Sequence, residues 1–169
     1  VLKMSNIVDI TYDYEELKTY FNETLNTDKS TYKTSNDEPT PIECIEVMLK
    51  HIPATFWEKE NIKILDPCCG NGNFHLVAWN ILKEIGKNDK DILENYLYFN
   101  EINEKRIKNV ENIFCNHRYQ LNISKKNFLK YDDDTLFDLQ IVNPPYAKFM
   151  EIEKDGEITY KRTSKNHTL

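Results

Sequence analysis

Four polar residues, Asp66, Glu101, Asn127 and Asn143, stand at or just beyond the ends of short apolar runs that read as buried strands. Carboxylates and amides in such places can bind a ligand that lies across the strand ends. Asp66 opens the stretch Asp66-Pro67-Cys68-Cys69-Gly70-Asn71-Gly72-Asn73-Phe74. Gly70 and Gly72 permit positive φ and remove the Cβ that would keep a ligand from the backbone. Phe74, Val77, Ala78, Ile81, Leu82 and Ile85 then recur at helical spacing, and Gly86 is the expected stop. Strand, glycine loop and helix can form a ligand site, but they can equally be a structural turn. A dinucleotide site fits poorly, because His75 stands where a third glycine belongs. The second motif, Asn143-Pro144-Pro145-Tyr146, lies far downstream and narrows these alternatives.

The elements that must position these residues alternate between helix and strand. Residues 11–27 read as a packing helix, with Asp13 and Glu16 in capping-box spacing and Tyr14, Leu17, Phe21 and Leu25 on one face. Residues 28–39 are polar and turn-rich, a loop by composition. Thr40 is the expected N-cap of the next helix, with Pro41 in its first position and Glu43 completing a capping box. Ile45, Met48, Leu49 and Ile52 form its apolar stripe, ended by Pro53. Such a helix start also offers free N–H groups to an anion, including a cofactor carboxylate.

Strands are expected at Ile62–Leu65, Tyr96–Phe99, Leu121–Ser124 and Phe137–Val142. A polar turn is expected at Asn88–Asp91, a helix capped by Asn103 with Ile107, Val110, Ile113 and Phe114 buried, and a hairpin turn around Lys154–Glu157. Alternation of this kind predicts an α/β fold, a mostly parallel sheet with helices on both faces, whose ligands lie at the carboxyl ends of the strands. An acid in the place of Glu101 is where such folds hold ribose hydroxyls.

Length and charge narrow the function classes. The chain has 169 residues and a formal net charge of -6, enough for one domain with a core and no general basic surface for nucleic acid. The four cysteines form no C-x-x-C pair and the four histidines are scattered, so no metal site is expected. The thiols are expected to be reduced, in the cytoplasm. No apolar run approaches the ~20 residues of a membrane span.

Taken with Asn143-Pro144-Pro145-Tyr146, the glycine loop resembles that of the class I S-adenosylmethionine-dependent methyltransferases. The Thr-Pro helix, the loop and the Asn-Pro-Pro-Tyr motif occur in an order similar to the gamma arrangement of the N6-adenine DNA methyltransferases of restriction-modification systems. The likeness covers about residues 30 to 150. It implies a Rossmann-like methyltransferase fold, S-adenosylmethionine as cofactor and DNA as partner. It implies that Thr40 and its helix start hold the methionine carboxylate and that Asp66, Gly70 and Gly72 line the methionine part. Glu101 would take the ribose hydroxyls, Ile102 would lie against the adenine ring, and Asn127-Phe128 would stand where the family usually has an acid and an aromatic. Asn143 and the Pro144 carbonyl would accept the two hydrogens of the target amine, Pro145 would stiffen the loop, and Tyr146 would stack on the flipped base.

The family sheet usually has seven strands, and four are legible before the chain ends. The expected domains are residues 1–39, a helix and polar loop; 40–150, a partial catalytic core; and 151–169, a truncated tail. A fragment would lack the DNA-recognition region and could self-associate through an uncovered sheet edge. A methyltransferase for another planar amine, such as a protein glutamine or an RNA base, and a cofactor-binding module without activity are the alternatives.

Overall fold

The computed structural model describes residues 13–31, 37–128, 134–144, 149–154 and 157–162. Helix α1 (Tyr14–Tyr20) starts where Asp13 accepts from the Glu16 N–H at 3.1 Å, and it runs on through a π-helical turn, Phe21–Leu25. Leu17, Phe21 and Leu25 are its buried face. Next come α2 (Ile42–Lys50), α3 (Ala54–Trp57), β1 (Ile64–Asp66) and α4 (Asn73–Glu84). After them lie α5 (Asp89–Asp91, extended by a π-turn, Ile92–Tyr96), β2 (Leu97–Asn100) and α6 (Glu104–Val110, extended through Cys115). The strands β3 (Asn122–Ser124) and β4 (Leu139–Gln140) complete the main sheet.

The main sheet has the order β3-β2-β1-β4, and every pair in it is parallel. Ile64 pairs with Leu97 on one side and with Leu139 on the other. Chain order reverses direction between β1 and β4, so a topological switch point opens there, beside Asp66. Successive side chains of a strand point to opposite faces, and Ile64, Leu65 and Asp66 are all buried, so both faces of β1 are covered. β5 (Phe149–Lys154) and β6 (Glu157–Arg162) form a separate antiparallel hairpin in which Lys154 pairs with Glu157, as the turn signal predicts; the turn residues Asp155 and Gly156 lie outside the described residues.

Several sequence expectations need correction. Thr40 does not cap α2. Pro41 occupies the cap position, where it makes no side-chain cap bond, and the helix starts at Ile42. Pro41 is extended, with ψ of 139°, so the Thr40 side chain is carried away from the helix axis and is used elsewhere. Met48 is 52 % exposed and does not belong to the buried stripe, which narrows to Ile42, Ile45 and Leu49. The stretch Asp89–Asp91 is helical and Asn88 caps it: the Asn88 side chain accepts from the Asp91 N–H at 2.9 Å, and Ile92, Leu93 and Tyr96 beyond it are buried. β4 is shorter than the Phe137–Val142 run, because only Leu139 and Gln140 pair with β1. α4 is buried well beyond one stripe, with His75, Leu76 and Trp79 inside as well. It ends as expected, with Gly86 at φ 90° and the Lys87 N–H bonded to the Leu82 carbonyl at 3.0 Å.

Candidate active site

Three strand ends build the site. At the end of β1 the Asp66 carboxyl is 1 % exposed and accepts from the Cys68 N–H at 3.1 Å. Burial pushes its pKa up to about 8, the Cys68 N–H pulls it down, and the nearby Glu101 charge raises it again. Asp66 therefore keeps its proton at neutral pH unless a cation joins it.

The glycine loop folds over this carboxyl. Cys69 N–H bonds the Asn100 carbonyl at 3.0 Å, and Gly72 N–H bonds the Cys69 carbonyl at 2.8 Å. Gly70 has φ +59° and Gly72 has φ +94°. The two glycines serve different ends. A Cβ on Gly72 would lie 2.6 Å from the Phe114 ring, so its absence lets the loop sit against the core. A Cβ on Gly70 would meet nothing within 4 Å. The backbone at Gly70 is thus approachable from outside, the property a bound cofactor needs.

At the end of β2, Glu101 is 7 % exposed. Its carboxylate accepts from three backbone N–H groups: Gly70 at 3.0 Å, Ile102 at 2.7 Å and Asn103 at 2.8 Å. Arg106 lies 3.7 Å away and binds Asp37 through both guanidinium Nη atoms, at 3.2 and 2.8 Å. Glu101 is therefore fastened to the glycine loop, and through Arg106 it neighbours the segment that precedes α2. Asn100 clasps the adjoining exits: it donates to the carbonyls of Pro67 (2.8 Å) and Lys126 (3.0 Å) and accepts from Ser124 (2.6 Å) and Lys126 N–H (3.0 Å). Ile102 and Phe128 are exposed apolar side chains at the exits of the adjacent strands β2 and β3, and Asn127 is exposed beside Phe128.

Beyond β4 stands Asn143, whose Nδ2 donates to Thr40 Oγ1 at 3.0 Å. The Thr40 carbonyl in turn accepts from Asn73 Nδ2, in the first turn of α4, at 2.9 Å. Asn73 also donates to Asn26 after α1, and Asn71 accepts from Asn109 of α6 at 3.0 Å. Thr40 thus joins the first turn of α4, directly after the glycine loop, to Asn143. Pro144 is exposed; Pro145 and Tyr146 lie outside the described residues.

Asp37, Arg106, Asn73 and Asn100 were not singled out from the sequence. Asn100 gave a signal, a buried amide closing the apolar run Leu97-Tyr98-Phe99. Nothing in the pattern joins Arg106 to Asp37, which lies 69 residues away. Among the described residues no group of His, Cys, Asp or Glu could hold a metal ion, and no helix is long and apolar enough to cross a membrane.

A parallel sheet in the order β3-β2-β1-β4, a glycine loop after β1 and an acid after β2 define the Rossmann-like methyltransferase architecture. Two solved structures share the fold. One is a Vibrio vulnificus protein assigned as the modification subunit of a type I restriction enzyme (TM-score 0.59, 19% identity, 86% of this chain and 31% of that one). The other is a Listeria monocytogenes protein assigned to the class I S-adenosylmethionine-dependent methyltransferases (TM-score 0.60, 14% identity, 89% of this chain and 47% of that one). The chain belongs to the N-6 DNA methylase family, whose pattern matches residues 13–168. It is 35% identical over 97 residues to the adenine-specific methyltransferase BrxX of Escherichia coli O9:H4, covering 53% of this chain. It is also 35% identical over 82 residues, 48% of this chain, to a chromosome partition protein Smc of Halobacteriovorax marinus. The chain spans 8% and 6% of the lengths of these two curated relatives.

Proposed function

We propose that this chain is the cofactor-binding and catalytic part of an adenine-specific DNA methyltransferase that acts on the exocyclic N6 amine, with residues 40–150 as its core. The observation that carries the reading is the convergence of Asp66, Glu101 and Asn143 on one edge of the sheet, with Asp66 and Asn143 on either side of the switch point.

The residues fit S-adenosylmethionine, which when bound supplies an activated methyl group. Gly70 leaves room for it. Asp66 and the loop would hold the methionine part, Glu101 the ribose hydroxyls, and Ile102 and Phe128 the purine faces. The Asn127 side-chain oxygen would accept from the purine amino group. Asn143 Oδ1 and the Pro144 carbonyl would accept the two hydrogens of the target amine, withdrawing its lone pair from the ring and leaving it nucleophilic. Tyr146 would stack on a base turned out of the duplex, because an amine inside the helix is out of reach.

DNA would be gripped chiefly by a recognition region carried elsewhere in the whole protein, consistent with the net charge of -6 here. No strand pairs with the far side of β4 among the described residues, and that edge would meet further strands or a second copy.

Calorimetric titration with S-adenosylmethionine tests the cofactor half of the reading. The chain should bind saturably and Asp66→Ala should not. Methyl transfer to unmethylated DNA by the enzyme that contains this chain tests the catalytic half. An Asn143→Ala enzyme that still methylates adenine at the parent rate would refute it.

A further inference from the structure

We propose that Thr40 is a positioning residue for Asn143, holding its amide with the oxygen turned to the target amine. The inference rests on the reading of Asn143 as the acceptor for that amine.

A side-chain amide has an accepting end and a donating end. Only the oxygen can accept a hydrogen of the target; a half-turn of the amide would present two N–H donors to the amine instead. Nothing intrinsic to asparagine prevents that turn, since its last torsion is broad and roughly two-fold. Thr40 opposes it here. Its Oγ1 accepts from Asn143 Nδ2 at 3.0 Å, which leaves Oδ1 as the end turned away, and a half-turn would need the hydroxyl to change from acceptor to donor.

The hydroxyl is itself well anchored. Thr40 lies between Pro39 and Pro41, and a residue before proline is confined to extended backbone. Its carbonyl is tied to Asn73 Nδ2 at 2.9 Å. Asn143 also precedes a proline, Pro144, which restricts its backbone in the same way. Two stiffened backbones thus meet through one side-chain bond between residues 103 positions apart. The Thr40 side chain is available for this because it does not cap α2. The resemblance to the methyltransferases would give Thr40 another task, holding the cofactor carboxylate, and the two tasks predict different phenotypes.

The test uses the full chain labelled with 15N, with Asn143→Asp identifying the Asn143 side-chain NH2 signal. In the unsubstituted chain, without cofactor, the bonded hydrogen should exchange with water more slowly than those of exposed asparagines. In Thr40→Val that protection should be lost and the signal should shift. Thr40→Ser should restore both. The affinity for S-adenosylmethionine should change less than about threefold in Thr40→Val, whereas kcat of the enzyme containing the chain should fall about tenfold, the scale of one positioning hydrogen bond.

An Asn143 signal that is unprotected in the unsubstituted chain would overturn the proposal, and this arm requires no variant to fold. So would a Thr40→Val chain with the signal unchanged and cofactor affinity lost, since Thr40 would then serve the cofactor. Failure of the underlying reading looks different: Asn143→Ala would keep its methyl transfer while the Thr40–Asn143 bond remained visible in the spectrum.

Discussion

Replacing Asp66 by Asn should remove a specific pH dependence of stability. In the folded chain the Asp66 carboxyl titrates at about 8, against an ordinary value of 3.8, chiefly because it is buried. Between those values the native state holds a proton that the unfolded chain has lost, so stability falls as pH rises. His75 has the opposite effect. It is fully buried, its Nε2 lies 2.7 Å from the Tyr98 carbonyl, and burial lowers its pKa from 6.5 to about 4. Between 4 and 6.5 the unfolded chain holds a proton that the native state lacks, so His75 makes stability rise with pH. The two slopes are equal and opposite up to pH 6.5. From there to pH 8 the slope of Asp66 is no longer offset by His75, and the thiols of half-buried Cys68 and buried Cys69, pushed above an ordinary value of 9, enter later. Each pH unit is a tenfold change in the folding equilibrium, so this window is worth about 2 kcal/mol.

Urea unfolding at pH 6.5 and pH 8.0, followed by circular dichroism, measures the effect. The unsubstituted chain should lose about 2 kcal/mol between the two, roughly 1 M in the midpoint. Asp66→Asn should keep the bond from Cys68 N–H and lose none of this. An equal decline in both proteins would refute the argument, since the slope would then belong to another group. The same proton matters for function. A cofactor ammonium beside Asp66 would favour the charged carboxylate, so binding of S-adenosylmethionine should release a proton at pH 7. Titration in two buffers of different ionisation enthalpy detects that proton, and affinity should rise with pH up to about 8.

The remaining predictions concern the loop and its ion pair. Gly72→Ala should destabilise the chain by about 2 kcal/mol or more, because the new Cβ meets the Phe114 ring at 2.6 Å in a left-handed backbone; Phe114→Leu in the same chain should recover part of the loss in a thermal melt. Gly70→Ala should cost only about 1 kcal/mol, since it meets no atom within 4 Å, yet weaken cofactor binding at least tenfold by calorimetry. Arg106→Met should cost about 3 kcal/mol in urea unfolding, because Asp37 and Glu101 lose the cation between them, and should weaken cofactor binding; Arg106→Lys should recover little, having no fork for the Asp37 carboxylate.

The places where chemistry could occur were legible because each is an apolar run that ends in polar residues: Ile64-Leu65-Asp66, Tyr98-Phe99-Asn100-Glu101 and Ile141-Val142-Asn143. Local physics fixes such positions, and the parallel order then aligns them. The same holds for the caps Asp13 and Asn103, which bond within three residues of themselves. What each polar end binds was not legible, because the partners are brought by topology. Asn143 finds Thr40, and Arg106 finds Asp37, across most of the chain. Composition misled at Asn88–Asp91, where polar residues suggest a turn. Burial of Ile92, Leu93 and Tyr96 overrides that preference once Asn88 caps the first turn.

The segment Asp37–Thr40 ties these long-range partners together. Asp37 bonds Arg106, beside the β2 exit, and Thr40 bonds Asn143, beyond the β4 exit. Those exits are separated by β1, hence by two strand spacings, about 10 Å. Three residue steps of extended chain reach about 10 Å, a span of the same order, and Pro39 stiffens the segment. Its length should therefore matter to the bond between Thr40 and Asn143. A single glycine inserted between Glu38 and Pro39 adds about 3.5 Å of slack, far more than a hydrogen bond tolerates. The ion pair at Asp37 is bidentate and partly buried and should hold, while Thr40 should slip from Asn143. Kinetics of the enzyme containing the insertion should then match Thr40→Val, with kcat reduced about tenfold and cofactor affinity nearly intact. An inserted chain with the Asn143 amide still protected in its spectrum would show that the segment is slack already, and that the bond to Thr40 depends on the two prolines alone.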